Sequence, residues 1–414
     1  MRLPKILRSL CGRICPLALA LLLPLSGCRE THPDSTEAAA GSEADSQSKT
    51  ELPAFPTPGN FPSSEVTTGI EKESLSLLIW EEYLVPDVVA KFEAEFGARL
   101  KVTEVENSER LKQALASRPT DYDVVVADEL TMRELISLRL IRELDAGETT
   151  VKLAKTNTLL ASPLDPGNQY TVPYLWGLTV LAGRAEVLRD VTPSWSLIWR
   201  EDLRVAVLDE PYDLVWLGLL ALGYDPSMAT KVQIDEATSR IEKRFPDLTD
   251  HMLDLISGLD ALEAGELDLL ITYNGDALSR ASGNPSITVV LPNEGGPIWV
   301  DSFAVSRDAP NPGLAYRFIE FMSRPEISAE TANSLNYASP NPNALASLDP
   351  SLRANPVLYP EESVMKKCRF VNFPVEVVKH VNQSIFRIIS GGRIRGVAAE
   401  AERIQAAELV ISED

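Results

Sequence analysis

From residue 75 onward, short apolar runs alternate with longer stretches whose apolar positions recur every three or four residues. That is the pattern of strands alternating with helices in an α/β domain. Leu75–Trp80, Leu100–Glu104 and Asp123–Ala127 read as strands, and Pro86–Phe96, stopped by Gly97, and Ser108–Ser117 read as the helices between them. With Met132–Leu140 helical afterwards, this is a βαβαβ unit, and a mainly parallel sheet is expected. Tyr170–Leu181 predicts a strand interrupted by proline, Trp195–Trp199 opens a new segment, and Arg204–Leu208 predicts the next strand. Further on, Val215–Leu222 predicts a helix ended by Gly223, and Ile234–Leu262 one long amphipathic stretch. Leu267–Tyr273 and Ile287–Leu291 predict strands, as does Ile298–Val305 after a turn at Glu294–Pro297. Helices are expected at Gly313–Met322, Pro325–Leu335 and Val375–Ile389, with Pro342–Tyr359 a Pro- and Asn-rich connection, and no internal repeat is evident.

The ends of the chain have a different character. Arg2, Lys5, Arg8 and Arg13 precede or flank an apolar run, Cys15 to Leu25, that closes on Leu25-Ser26-Gly27-Cys28. A basic start, a short apolar core and a small-small-Cys ending define residues 1–27 as a lipoprotein signal peptide, with Cys28 as the lipid attachment point. The apolar core is too short to cross a bilayer, which takes about 20 residues. Residues 28–73 are rich in Ser, Thr, Ala, Glu, Gly and Pro and have little to bury, so they read as a flexible tether. The soluble body that follows is large enough for two lobes with separate cores, which suggests a cleft between them. The expected division is lobe 1 at 74–177 plus 299–345, lobe 2 at 178–298 plus 346–391, and a C-terminal helical appendage at 392–414.

Composition narrows the chemistry. Loss of the four basic residues of the leader takes the formal charge from −21 to −25, a balance that disfavours nucleic acid and anionic surfaces and suits cationic ligands. Beyond Cys28 only Cys368 remains, so no disulfide can form within the mature chain, and a lone cysteine is usually an apolar filler. The three histidines are His32 in the tether and His251 and His380 in helical surroundings, none with a partner at ligand spacing. No metal site is expected, and no cofactor. Gly391-Gly392-Arg393-Ile394-Arg395-Gly396 follows a helix, not a strand, so it reads as a helix stop and not as a phosphate loop.

Four predicted strands end in an aromatic residue beside carboxylates or amides: Trp80-Glu81-Glu82-Tyr83, Asp209-Glu210-Pro211-Tyr212-Asp213, Tyr273-Asn274-Gly275-Asp276 and Trp299-Val300-Asp301. A fifth, Ala127-Asp128-Glu129, carries acids alone. Strand carboxyl ends face the ligand crevice in open α/β sheets, so these clusters should converge between the lobes. Carboxylates with aromatic faces suit an organic cation, whose ammonium groups take charged hydrogen bonds while its methylenes lie on the rings. The candidate ligand-binding residues are Trp80, Glu81, Tyr83, Asp128, Glu210, Asp213, Tyr273, Trp299 and Asp301. Taken singly, each acid could instead cap the helix that follows it, and each ring could be core. Catalytic residues are not expected, although an acid pair such as Glu210 and Asp213 leaves a hydrolase as a third reading.

At these residues the sequence resembles the periplasmic spermidine/putrescine-binding proteins of ABC-type polyamine transporters. The resemblance runs in order through Trp80-Glu81-Glu82-Tyr83-Leu84-Val85-Pro86, Tyr122-Asp123-Val124-Val125-Val126, Val172-Pro173-Tyr174-Leu175-Trp176-Gly177, Glu294 to Ser302 and Tyr337-Ala338-Ser339-Pro340-Asn341. It implies a two-lobed α/β periplasmic-binding-protein fold of type II, and a polyamine held in an acidic, aromatic cleft between the lobes. The ligand would then pass to a membrane permease. By the resemblance, Trp80, Tyr83, Tyr273 and Trp299 form the aromatic box, and Glu210, Asp213 and Asp301 bind the amines. The sequence departs from the family at Asp128, where a Ser is common, at Leu130, where a polar or aromatic residue is common, and at Val371, beside Phe370, where a Gln is common. These differences imply a cationic amine that need not be the family's usual one. The expected partners are therefore a small cationic amine, an ABC permease and, through the lipid, a membrane; the alternative is a sensor subunit that docks on a membrane signalling protein.

Overall fold

The computed structural model describes residues 73–144 and 165–391. The signal peptide, Cys28, nearly all of the tether and the appendage at 392–414 lie outside the described residues.

Ten strands are described: β1 (Ser74–Trp80), β2 (Arg99–Val105), β3 (Val124–Ala127), β4 (Thr171–Arg184), β5 (Val205–Leu208), β6 (Met252–Leu253), β7 (Leu269–Tyr273), β8 (Ile287–Val290), β9 (Pro297–Val305) and β10 (Arg369–Phe370). The principal helices are α1 (Pro86–Phe96), α2 (Ser108–Ser117), α3 (Glu129–Ser137), the single turn α4 (Ala185–Leu188), α5 (Pro211–Ala221), α6 (Lys231–Arg244), α7 (Leu255–Glu263), α8 (Asn274–Gly283), α9 (Pro312–Met322) and α10 (Pro325–Leu335), with a further helix over residues 375–391. Most follow the apolar pattern closely. The helix α1 begins with Pro86 at its first turn, where the missing N–H costs nothing, and stops at Gly97 in the left-handed conformation (φ 63°).

The strands form one sheet in the order β2-β1-β3-β9-β4-β7-β5-β6, with β10 beside β9 and β8 beside β4. Pairing is parallel within the wound units, β1 with β2 and β3, and β5 with β6 and β7. It is antiparallel wherever β4 or β9 meets a neighbour other than β10, so the mainly parallel sheet expected from the alternating pattern is a mixed one. The reason is that β4 and β9 are the connections between two lobes. Residues 171–178 of β4 pair with β9, and residues 179–184 pair with β7 and β8. Each lobe has its own apolar core: Phe92, Phe303, Phe318 and Phe321 in one, and Trp195, Trp216, Ile241 and Phe245 in the other.

Three further expectations need correction. Ile234–Leu262 is not one amphipathic element: α6 ends at Arg244, Pro246 prevents continuation, and a short strand and α7 follow. The helix expected from Met132 begins at Glu129, because Asp128 caps it. The helix expected from Val215 begins at Pro211, so Glu210 is its N-cap residue and Asp213 lies in its first turn.

Candidate ligand site

The strand β4 orders the site. Leu175 pairs with Asp301, Gly177 with Trp299, and Thr179 with Tyr273. Alternate positions of a strand share a face, and at about 3.3 Å per residue these three rows span about 13 Å. Along that line lie a carboxylate, an indole and a phenol, and the phenol row also holds Asp213, whose Oδ2 accepts a hydrogen bond from Thr179 Oγ1 at 3.3 Å. Gly177 makes the row possible, since a Cβ there would overlap the Trp299 indole and Asn274 Oδ1. Gly275 does the same for Tyr337, whose ring occupies the space a side chain at 275 would fill.

The rings form a continuous edge-to-face series. Tyr273 to Trp299 is 5.5 Å between centroids, Trp299 to Tyr337 5.0 Å, Tyr337 to Tyr83 5.8 Å and Tyr83 to Tyr174 5.5 Å. Alternating edges and faces match the ring quadrupoles and leave π-faces to an incoming cation. At the Asp301 end, Trp80 Nε1 donates to Asp301 Oδ1 at 3.3 Å, and the Tyr83 hydroxyl faces the same carboxylate. Within the described residues, buried Trp299 Nε1 has no hydrogen-bond partner. A buried polar atom without a partner is uncommon and marks a place where a ligand can supply one.

The acids around this wall are short of counter-charge. Burial, and then the neighbouring Asp128 charge, push the Asp301 carboxyl up to about 7. Asp213 is also raised to about 7, first by burial. Glu129, buried with Oε2 accepting from Val300 N–H at 3.1 Å, is held well above the usual carboxylate range by burial and by Asp128. Glu210 is exposed yet crowded by protein, and loss of water followed by Asp213 raises it well above its ordinary value. Asp276, which accepts from the Tyr337 hydroxyl, is pushed by burial to about 6. Among the described residues none of these five is in an ion pair; the ion pairs lie elsewhere, as at Arg204–Asp268 and Arg280–Asp260. Buried acids without cations favour an incoming cation that supplies the missing charge.

The expected residues divide into three groups. Trp80, Tyr83, Trp299 and Asp301 come together at one end, and Glu210, Asp213 and Tyr273 line one small pocket with Thr179 at the other. Asp128 stands beside Asp301 across the β3–β9 ladder, and its charge contributes to raising Asp301, Asp213, Glu210 and Glu129, but its oxygens are already engaged in capping α3. Glu81 stands apart: it is exposed, and its raised pKa comes first from partial loss of water and then from Glu106, Glu104, Glu82 and Asp254. Val371 is packed in the core of the second lobe.

Tyr337, Tyr174, Asp276 and Glu129 belong to the site but are not among the residues the sequence singles out. Glu129 and Asp276 were visible only as members of strand-end clusters. Tyr337 follows α10, and nothing local shows that Gly275 makes room for its ring.

A two-lobed α/β fold with buried acids and a series of aromatic rings gathered along two paired strands has the architecture of a solute-binding protein. Residues 87–358 match the family model of the bacterial extracellular solute-binding proteins, and the chain belongs to that family. Its members bind solutes and are not enzymes. The spermidine/putrescine-binding periplasmic protein of Salmonella typhimurium is 27% identical over 307 residues, covering 73% of this chain and 87% of that one. The putrescine-binding periplasmic protein SpuD of Pseudomonas aeruginosa is 28% identical over 346 residues, covering 78% and 93%. Among solved structures, the spermidine/putrescine ABC transporter substrate-binding protein PotD from Streptococcus pneumoniae superposes with a TM-score of 0.68 at 20% identity, covering 78% of this chain and all of that one.

Proposed function

We propose that this protein is the substrate-binding component of an ABC-type importer, that it binds a linear polyamine between its lobes, and that it presents the ligand to a membrane permease. The observation that carries the reading is the ladder along β4, in which acid, ring and acid follow one another and, among the described residues, neither acid is in an ion pair. The names of the relatives support the same ligand class. A charged hydrogen bond contributes about 1.5–3 kcal/mol and a desolvated cation on a ring about 2. Two ammonium groups so held reach the roughly 8 kcal/mol of micromolar binding once ordering costs are subtracted. The lobe boundaries at residues 177–178 and 298–299 are part of the proposal, supported by the change of pairing partner along β4 between Leu178 and Thr179.

Titration calorimetry of the purified protein against putrescine, spermidine, norspermidine and a simple monoamine tests the ligand class. Binding of at least one polyamine at micromolar concentration, with the monoamine far weaker, is expected. Absence of heat with every polyamine would remove the reading.

The proposal includes attachment through Cys28, which keeps the receptor near its permease on a tether of roughly 35–40 Å root-mean-square span. Cys28→Ser is expected to move the protein from the membrane fraction to the soluble one, and its persistence in membranes would count against a lipid anchor.

A further inference from the structure

The lobes also meet away from the strands they share. Residues 336–338 belong with the first lobe: Ala338 exchanges both backbone hydrogen bonds with Trp176 of β4, at 3.0 and 3.2 Å, and the Tyr337 ring is buried in the core that holds Phe92 and Phe303. The helix α8 belongs with the second. It follows β7, which pairs with Thr179–Gly183 of β4, and its Ala277 packs with Ala182, Ala206 and Leu270.

Two side-chain hydrogen bonds join these pieces. The Tyr337 hydroxyl donates to Asp276 Oδ2, and Asn336 Nδ2 donates to Ser279 Oγ at 2.8 Å. Asp276 and Ser279 stand three residues apart, so they share one face of α8. They meet two consecutive residues at the end of α10, where Asn336 caps the helix in the left-handed conformation (φ 57°), which Asn tolerates better than most residues. Gly275 lets the helix lie close, because the Tyr337 ring fills the space a side chain there would take.

Both bonds form between groups of the protein itself and need no ligand. A motion that draws α8 away from residues 336 and 337 breaks them together and uncovers the ring. A phenol bonded to a carboxylate contributes more than a neutral pair in the open, so Tyr337–Asp276 carries the larger part and Asn336–Ser279 the smaller.

We propose that these four residues form a latch: Asn336 and Tyr337 hold α8 so that the lobes stay together before any ligand arrives, and the latch sets how often the empty protein opens. The inference goes beyond the polyamine reading, since it concerns the empty protein, and its test uses no ligand.

Spin labels on Val102→Cys in β2 and Val232→Cys in α6, both exposed and one in each lobe, report the separation of the lobes in the full chain by pulsed electron resonance. Cys28 carries the lipid in the proposed anchor and Cys368 is buried, so neither takes the label. The wild type is expected to show mainly the shorter distance. Tyr337→Phe, which keeps the ring and loses the hydroxyl, should shift the ratio of short to long populations roughly tenfold toward the long, and Ser279→Ala about threefold. Asp276→Asn keeps an acceptor for the hydroxyl and is expected to stay within about threefold of the wild type. Circular dichroism checks that each variant is folded. A wild type found only at the longer distance, or a folded double variant of Tyr337→Phe and Ser279→Ala with the wild-type distribution, would overturn the latch and leave the polyamine reading standing.

Discussion

At the scale of single residues, the cleft depends on two glycines as much as on its charges. Gly177 and Gly275 have ordinary backbone angles, so neither is needed for a turn. Each is needed because an aromatic ring crosses the place where its Cβ would be. Gly177→Ala must push the Trp299 indole away from the ring series or displace Asn274, which is fully buried and accepts from Leu178 N–H at 3.2 Å while donating to Val357 O at 3.0 Å. Overpacking of this kind costs about 1–3 kcal/mol. Chemical denaturation is expected to show a lower midpoint with an unchanged slope, and an unchanged midpoint would mean the indole has room to move. The glycines were visible in the sequence as letters, but their purpose was not: Gly177 lies 122 residues from Trp299 by number, and only folding brings them together.

At the scale of elements, the chain was most legible where periodicity and stop signals agree. The bounds expected for Pro86–Phe96, Ser108–Ser117 and Pro325–Leu335 are those found, because a proline, a cap or a left-handed residue ends each pattern at a local cost. Legibility failed where the ends are set by long-range partners. The first turn of α3 carries Glu129, whose carboxylate turns inward to Val300 N–H on β9, and no amphipathic count would place a buried acid there. The first turn of α5 carries Asp213 for a similar reason, since its partner Thr179 sits on β4. The polar first turns hid the true starts of both helices. The same departures from the apolar rule are what build the site, as expected where function competes with packing.

At the scale of the whole molecule, the sign of the pH dependence follows from buried acids that form no ion pair among the described residues. Asp213 and Asp301 hold their protons to about 7, against 3.8 for the ordinary carboxyl. For a group raised in the folded state, its stabilising contribution is full below the unfolded value and is lost as pH rises through the folded one. The unliganded protein is therefore expected to lose stability between about pH 4 and about pH 7 on account of these groups. A polyamine favours the ionised acids and acts in the opposite sense, so its stabilising effect should grow over the same range. Calorimetric melting at about pH 5.5 and about pH 8, with and without spermidine, checks this. Asp301→Asn is expected to weaken the decline of the unliganded protein and to reduce the shift caused by spermidine at the higher pH. A variant with the wild-type pH profile would mean that Asp301 is not one of the titrating groups. By itself, the sequence determined most of the succession of strands and helices and the chemical types at the strand ends, because apolar periodicity, turn residues and strand-end acids act over a few residues. Only the tertiary structure decided which acids lack a counter-charge, which ring needs which glycine, and that Asp128 caps a helix beside Asp301. Those properties are distances between residues far apart in the chain, and they come into being only when β4 and β9 pair.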